Sequence, residues 1–357
     1  MNPSLDRRTF LRRSAVAGAG LVAVGPLGAL VGCSSDGDAS GTTAAAGGGA
    51  SLGTMRQQLG WIKDVQFSGD YLAEVKGYWT DQGLEVITDA GGPNIASIPT
   101  VVGGKALVTQ GNPDAVGSAI AEGAALSIIG SKFQISPYAL TSPEASPITT
   151  PQEMVGRTIG VQPNNDMVWD AFLRINEIDP SSVEKIVAGF DPTPLANGEV
   201  DGWLSFITDE PVTLAAAGFP NVVMPFSDFG FDTIANCLVV RSDSLEGEPR
   251  AQLVAFLHGL IRGWQDAIAD PDEAVAVALD DFGGDLGQNP ETAAQVLAAN
   301  NELMTDNGTL STGLFTISAD RVDTTIAMCA DLDIELAESV FDLSLIEEVY
   351  DGATSLD

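Results

Sequence analysis

Basic residues, histidine and cysteine are scarce in this sequence. Its 357 residues include 16 Lys and Arg against 49 Asp and Glu, one His and three Cys, and the formal net charge is −33. Nucleic-acid binding needs clustered positive charge, so this charge excludes that class of partner. The few cysteines exclude a disulfide scaffold, and a Cys/His zinc site would need every His and Cys of the chain. A Ser-His-Asp enzyme would depend on a single imidazole.

Length and composition indicate a globular chain with two lobes. The sequence is 45% hydrophobic and 18% charged, which separates it from disordered chains. A chain of this length has enough residues for two hydrophobic cores. The acidity is compatible with a solubility adaptation to salt.

The N-terminus carries a predicted export signal over residues 1–32. Arg7 and Arg8 form a twin-arginine pair of the kind read by the twin-arginine export machinery. Residues 14–32 carry no charge and are mostly Ala, Gly, Val and Leu, which is typical of a signal peptide. The run ends in Leu-Val-Gly-Cys, which resembles the bacterial lipoprotein cleavage site. That resemblance implies cleavage before Cys33, a diacylglycerol on its sulfur, and an exported protein anchored to the outer face of the cell membrane.

Residues 33–54 are rich in Gly, Ala, Ser and Thr. Such a composition predicts a flexible tether. A tether behind a lipidated cysteine would hold a globular body just outside a membrane.

The body of the chain alternates apolar runs of strand length with helical patterns. Residues of the segment 252–264 repeat at helical spacing, and residues 270–273 read Asp-Pro-Asp-Glu, which predicts a capped helix start. Alternation of this kind predicts an α/β fold with mainly parallel sheets flanked by helices. The predicted strands are 56–61, 84–88, 106–110, 125–130, 157–161, 200–206, 221–225 and 235–241.

The predicted lobe boundaries follow from composition. Residues 142–147 read Ser-Pro-Glu-Ala-Ser-Pro, a turn-rich break, and a second apolar strand begins near residue 234. If the chain crosses between lobes at both places, lobe 1 comprises 55–142 and 234–357, and lobe 2 comprises 143–233. Ligands of open α/β sheets bind at the carboxyl ends of strands, so we expect a ligand cleft between the two lobes.

The candidate ligand-binding residues lie at the ends of predicted strands or in the segments that follow them. Aromatic side chains there suit stacking on a flat ring, while amides and carboxylates suit hydrogen bonds to it. Each also has a structural alternative: core packing for Trp61, helix-dipole compensation for Asp70, and N-capping for Asn112 and Asn165. The candidates are Trp61, Asp64, Gln66, Phe67, Asp70, Gln110, Asn112, Asn164, Asn165, Phe206 and Asp209.

These loops contain no arginine. A buried anion without positive partners is costly, although helix-start N–H groups could partly substitute. The loops therefore favour a neutral or cationic nitrogen heterocycle over a sulfonate or nitrate.

Residues 59–79 resemble the opening of ABC-transporter substrate-binding proteins of the thiamine-pyrimidine type. A strand ends in Trp61, a loop follows, and a helix begins near Tyr71 and ends in Gly-Tyr-Trp at residues 77–79. Further matches at 156–161 and 209–211 are shared with riboflavin, nitrate, taurine and sulfonate binders.

The resemblance implies a type II periplasmic-binding-protein fold and a monomer. The protein would capture a thiamine-precursor pyrimidine or a related vitamin without a cofactor, and deliver it to ABC permease and ATPase subunits. A receptor subunit that signals, and a binder of sulfonate, taurine or nitrate, remain alternatives.

The same superfamily contains an enzyme, the thiamine-pyrimidine synthase. Its cysteine-rich motif is reduced here to Cys237, and its cofactor lysine and reacting histidine would fall near Gly111 and Ala115. These differences favour a binding protein over an enzyme. The single histidine, His258, is interpreted as structural. Cys237 and Cys329 are interpreted as buried thiols rather than a disulfide.

Overall fold

The computed structural model describes residues 51–305 and 309–357, apart from the side chain of Asp285. In these segments ten strands form two five-stranded sheets. The first sheet has the order β2-β1-β3-β10-β4, with β1 (Gly53–Gln58), β2 (Leu84–Asp89), β3 (Val108–Gly111), β4 (Leu126–Phe133) and β10 (Ala235–Arg241). The second has the order β7-β6-β8-β5-β9, with β5 (Tyr138–Pro143), β6 (Thr158–Val161), β7 (Glu184–Val187), β8 (Gly202–Phe206) and β9 (Asn221–Pro225).

Each sheet is mixed, with one reversed strand. β10 runs antiparallel to β3 and β4, and β5 runs antiparallel to β8 and β9, whereas β1, β2 and β3 are parallel, as are β6, β7 and β8. The reversed strand is in each case the first one after the chain has crossed from the other sheet. We call the parts built on the first and second sheets lobe 1 and lobe 2.

The first crossing lies earlier than the break we expected at 142–143. β5 pairs with β8 and β9, so the chain has already entered lobe 2 at Tyr138. The crossing therefore falls between Phe133 and Tyr138, and 138–142 is corrected to lobe 2. The return crossing falls between Pro225 and Ala235.

Helices cover both sheets. Those of the described residues are α1 (Ser68–Val75), α2 (Tyr78–Asp81), α3 (Ile98–Val102), α4 (Pro113–Ala121), α5 (Asp166–Ile175), α6 (Thr193–Ala196), α7 (Glu210–Ala216), α8 (Gly247–Ala269), α9 (Pro271–Val277), α10 (Pro290–Thr305), α11 (Thr309–Thr312), α12 (Ala319–Asp331) and α13 (Ser344–Tyr350). A short 3₁₀ helix over Val65–Phe67 precedes α1, and another over Pro163–Asn165 precedes α5. The side chain of Asp270 accepts a hydrogen bond from the Glu273 N–H, so the predicted cap of α9 is present.

Helix α8 packs closely against α1. It buries an apolar face that includes Phe256, Leu260 and Trp264. A Cβ on Gly263 would lie 2.0 Å from the Gly69 carbonyl oxygen, so the absence of a side chain allows the two backbones to approach. This contact fixes α1 and with it the loop that precedes it.

The remaining predictions concern the N-terminal segment and the two later cysteines. Arg7, Arg8 and Cys33 lie outside the described residues. The expected tether to residue 54 is too long, because β1 begins at Gly53. Within 51–305 and 309–357, no helix has the length and apolar character needed to span a bilayer. Cys237 and Cys329 are both buried free thiols, which confirms their interpretation.

Candidate ligand site between the lobes

A cavity of about 300 Å³ lies where the carboxyl ends of β1, β3, β6 and β8 meet. Its size falls within the range of small-molecule sites. The predicted residues that line it are Trp61, Gln66, Phe67, Gln110 and Asn112 from lobe 1, and Asn164, Asn165, Phe206 and Asp209 from lobe 2.

A chain of hydrogen bonds crosses the cavity wall from one lobe to the other. Asn112 Nδ2 donates to the Tyr138 hydroxyl at 3.1 Å, and that hydroxyl donates to Asn165 Oδ1 at 3.0 Å. Asn165 Nδ2 in turn donates to Gln162 Oε1 at 3.1 Å. The two asparagines that could have served only as N-caps make no side-chain capping bond, and instead hold Tyr138 in place.

Gln66 makes the second contact between the lobes. Its Nε2 donates to Asp209 Oδ2 at 2.8 Å and to Asp64 Oδ2 at 3.2 Å, so one amide is shared by two carboxyl groups. Asp64 Oδ1 also accepts the Gln66 backbone N–H at 3.0 Å and caps the 3₁₀ helix. Burial, with the charge of Asp209 added to it, raises the pKa of Asp64 to about 8.

The floor of the cavity is acidic and partly unpartnered. Burial raises the pKa of Asp209 to about 6. It also raises the pKa of Glu210 well above its ordinary value, and the charge of Asp209 raises it further. Glu210 Oε2 accepts the Phe206 N–H at 2.9 Å. Among the described residues, Gln110 Oε1 and Asn164 Oδ1 are buried without a hydrogen-bond partner.

Two predicted residues do not line the cavity. Asp64 lies behind Gln66, as described above, and acts on the site through that side chain. Asp70 is buried in the first turn of α1, where its Oδ2 accepts a hydrogen bond from Trp264 Nε1 at 3.2 Å. We therefore correct the expectation for Asp70, because its carboxyl group supports the packing of α1 on α8 and does not reach a ligand.

Lys132 is a buried residue that sequence reasoning missed. Its Nζ donates to the Gln66 carbonyl oxygen at 2.6 Å and lies 4.0 Å from the centre of the Trp264 ring. Burial lowers the pKa of Lys132 to about 7, against the opposing charges of Asp70 and Asp64. The sequence signal was a lone lysine inside the buried strand β4.

Other lining residues were also missed. Tyr138 lies on a strand that was not predicted, and its ring packs edge-on against Phe206 at 4.7 Å. Asn236 lies at the return crossing with a φ of 50°, and its backbone N–H donates to Asn112 Oδ1 at 3.4 Å. Residues Ile95–Pro99, which are apolar apart from Ser97, form a wall that precedes and begins α3. Most of the predicted residues were identified by their position at or just after the end of a predicted strand. The residues that were missed do not occupy such a position.

No positive side chain contacts the cavity space. Among the described residues that line it, none is Lys or Arg. Within the same part of the chain, no group of three His, Cys, Asp or Glu side chains is arranged to hold a metal ion. His258 lies on α8, where its Nδ1 is 3.4 Å from Gln82 Nε2, and it does not line the cavity.

Two mixed sheets with a ligand-sized cavity between them define the α/β fold of periplasmic binding proteins. The alkanesulfonate-binding protein SsuA from Xanthomonas axonopodis pv. citri, solved with MOPS bound, has a TM-score of 0.59 at 14% identity over 81% of this chain and 96% of that one. A protein from Bordetella bronchiseptica RB50 has a TM-score of 0.60 at 20% identity over 82% and 91%. These matches confirm the predicted fold.

The chain belongs to the family described as NMT1/THI5 like, whose sequence profile matches residues 64–274. The riboflavin-binding protein RibY from Chloroflexus aurantiacus is 27% identical over 233 residues, which is 62% of this chain. The match spans 64% of the length of that relative.

Proposed function

We propose that this protein is the extracytoplasmic solute-binding component of an ABC importer. It captures a small nitrogen heterocycle, either a thiamine-precursor pyrimidine or a related vitamin ring, in the cavity between its lobes. It then delivers that ligand to a permease and its ATPase, while a lipid on Cys33 holds it at the outer face of the membrane.

The observation that carries this proposal is the chemistry of the cavity lining. Aromatic rings from Trp61, Phe67 and Phe206 meet amide and carboxyl groups, and no lysine or arginine contacts the cavity space among the described lining residues. Flat rings stack on aromatic side chains, and ring nitrogens and amino groups bond to amides and carboxylates.

Asp209 and Glu210 supply a matched acceptor and donor. Because the charge of Asp209 raises the pKa of Glu210, Asp209 ionises first as the pH rises. Near neutral pH the ionised Asp209 can accept a hydrogen bond from an amino group. A Glu210 that retains its proton can donate to a ring nitrogen.

The same lining disfavours a sulfonate or nitrate as the ligand. An anion buried beside two carboxyl groups without a positive partner would lose its hydration without compensation. The relative from Chloroflexus aurantiacus is named as a riboflavin-binding protein, which supports a heterocycle. The sulfonate-binding neighbours share the fold at low identity, and the fold does not carry the ligand with it.

The lining also supports a binder over the pyrimidine synthase. Gly111 and Ala115, where the resemblance placed the cofactor lysine and reacting histidine of the synthase, both line the cavity. Neither can form a covalent bond to a cofactor or donate an imidazole.

Calorimetric titration of the purified protein tests the proposal. The ligands are hydroxymethyl-aminopyrimidine, formyl-aminopyrimidine, riboflavin, taurine and nitrate, each at neutral pH. We expect saturable binding of at least one heterocycle and none of the anions. Binding of the anions alone would refute the heterocycle, and conversion of a bound heterocycle into a product would refute the role as a binder.

The variant Asp209→Asn separates site binding from surface binding. It keeps the size of the side chain but removes the charge, so we expect about a tenfold to hundredfold loss of affinity, as for a charged hydrogen bond. Asp228→Asn, at an exposed aspartate of lobe 2 outside the lining, is the matched control and should leave the affinity unchanged.

A further inference from the structure

The cavity extends along one face of α4. Ala115, Ser118, Ala119 and Glu122 all line it, and their spacing of three and four residues places them on one side of the helix. From Asn112 at the start of α4 to Glu122 at its end, the helix rises about 15 Å. The space is therefore elongated and longer than a single ring.

The two ends of this space differ in exposure. At the inner end, Gln110 is 5% exposed. At the outer end, Ile95 of lobe 1 is 40% exposed and Met167 of lobe 2 is 43% exposed, although both line the cavity. The outer end opens to solvent between the lobes.

The two ends also differ in chemistry. The inner end carries the aromatic rings, the amides and the carboxyl pair described above. The outer end is bounded by apolar side chains, with Ser118 and Glu122 as its polar members. Glu122 follows the last turn of α4, where the backbone carbonyls add partial negative charge.

We propose that this outer end is a second subsite, which accepts an uncharged or cationic substituent of the bound heterocycle and rejects a substituent that ends in phosphate or sulfonate. The outer subsite consists of Ile95, Pro99, Ser118, Ala119, Glu122 and Met167. This proposal rests on the proposed function, since it places the ring of the heterocycle in the inner end of the cavity. Its apolar walls contact a methyl, methylene or fused-ring group, and Glu122 repels an anionic terminus.

This selectivity concerns vitamins and precursors that carry a phosphate ester. For such compounds, a phosphatase-type reaction would have to remove the phosphate before capture.

Paired ligands test the outer subsite. The affinity of the purified protein is measured for riboflavin against riboflavin 5′-phosphate, and for hydroxymethyl-aminopyrimidine against its phosphate ester. Where a pair binds, we expect its phosphate-free member to bind about threefold more tightly, because repulsion by an exposed carboxylate such as Glu122 is modest. Equal affinity within a pair would overturn the outer subsite and leave the heterocycle assignment standing. Absence of binding by both pairs would overturn both.

Charge reversal at the outer end is the second test. Glu122→Lys should increase the affinity for the phosphate ester about fivefold, a modest gain because an exposed charge pair contributes little free energy. The affinity for the phosphate-free ligand should change little, because that ligand forms no charge pair with the lysine. Glu144→Lys makes the same change of charge at an exposed glutamate outside the lining and should change neither affinity. Equal effects of the two substitutions would mean that overall charge, not the outer subsite, sets the preference.

Steric blocking is the third test. Ala119→Trp should fill the outer subsite and weaken riboflavin binding about tenfold or more while sparing 4-aminopyrimidine, which fits within the inner end. Ala121→Trp, on the exposed side of the same helix, is the control. Equal loss for both ligands with an unchanged Tm would show that the ring itself lies in the outer end, which would refute the assignment of the two ends.

Discussion

Buried charged side chains are concentrated beneath the cavity. Asp64, Asp70 and Lys132 are all buried in lobe 1 and act on one another electrostatically. Lys132 holds the Gln66 carbonyl, and Asp64 holds the Gln66 N–H and amide. Gln66, whose side chain reaches across to lobe 2, is thus positioned by two of the three members of this charged cluster, Lys132 and Asp64.

Removal of Lys132 should destabilise the protein strongly. Lys132→Met leaves the Gln66 carbonyl without its donor and Asp70 without a positive neighbour, so we expect a loss of about 3 kcal/mol in the free energy of unfolding. Urea denaturation at pH 7 measures it. The double variant Lys132→Met/Asp70→Asn should recover part of the loss, and an additive result would show that the two side chains are not coupled.

Asp114 should destabilise the protein at neutral pH. It is 1% exposed in the first turn of α4, and neither carboxyl oxygen has a partner among the described residues. Burial raises its pKa to about 6, so its contribution to stability is full below pH 4 and is lost as the pH rises through about 6. We expect Asp114→Asn to be about 2–3 kcal/mol more stable than the parent at pH 7.5, with little difference at pH 4.

Urea denaturation at both pH values checks this expectation. Asp320→Asn is the control, because Asp320 occupies the matching position in the first turn of α12 but is exposed. A gain at pH 4 equal to that at pH 7.5 would show that ionisation of Asp114 is not the cause.

The position of a residue after a strand largely decided whether its place in the cavity could be predicted. Trp61, Asn165 and Asp209 follow strands whose carboxyl ends face the other lobe, and Gln110 lies at the carboxyl end of such a strand. All four line the cavity. Lys132 could not be placed, because a single lysine in an apolar run gives no indication of its neighbours across the fold.

At the scale of elements, two strands escaped prediction for opposite reasons. β5 is buried but contains hydroxyl residues, and Thr141 Oγ1 pairs with Ser205 Oγ at 2.6 Å, so its polarity is satisfied inside the sheet. β7 begins with Glu184 and Lys185 and is a largely exposed edge strand. Its charges mask the strand pattern. By contrast, the predicted bounds of 221–225 and 235–241 coincide with β9 and β10.

The crossing of α1 and α8 should not tolerate a methyl group. Gly263→Ala places a Cβ 2.0 Å from the Gly69 carbonyl oxygen and 2.8 Å from the Ala73 nitrogen, both backbone atoms that cannot rotate away. We expect a loss of about 2–3 kcal/mol of stability despite the better helix propensity of alanine, measured by thermal denaturation.

Gly189→Ala provides the comparison for that helix crossing. Gly189 has no heavy atom within 4 Å of the position a Cβ would take, so the Tm of the Gly189→Ala variant should differ little from that of the parent protein. An unchanged Tm for Gly263→Ala would mean that the helices separate at low cost.

At the scale of the whole molecule, polar contacts join the lobes around the cavity. Besides Gln66 with Asp209 and Asn112 with Tyr138, the Asn164 backbone N–H donates to the Pro93 carbonyl at 3.0 Å. The lobes are therefore in contact on more than one side of the cavity, which is the arrangement expected of the closed form of a hinged protein.

Closure should take up a proton. Burial raises the pKa of Asp64 of lobe 1, and the charge of Asp209 of lobe 2 adds to the shift, to about 8, while Lys132 opposes it. Tyr71 and Glu210 also act electrostatically with Asp64. Closure, and with it ligand affinity, should weaken as the pH rises through about 8. For a ligand that does not titrate in this range, we expect a loss of affinity below about tenfold between pH 7 and pH 9, because only the contribution of Asp209 to the pKa shift depends on closure. Calorimetry measures it.

The variant Asp64→Asn isolates that effect. It keeps an oxygen for the Gln66 N–H but cannot ionise, so the affinity of this variant should vary little over the same range. If its affinity fell as steeply as that of the parent, another group would be responsible for the pH dependence.

The placement of β10 has a consequence for the order in which the molecule is made. Because this strand inserts between β3 and β4, the first sheet stays split until the ribosome has released residue 241, whereas the strands of the second sheet are all encoded within 138–225. We expect lobe 2 to acquire protease resistance first during synthesis. Limited proteolysis of nascent chains halted before Ala235 would show whether it does. Lobe 1 would then be the last to fold, although it contains β1 to β4.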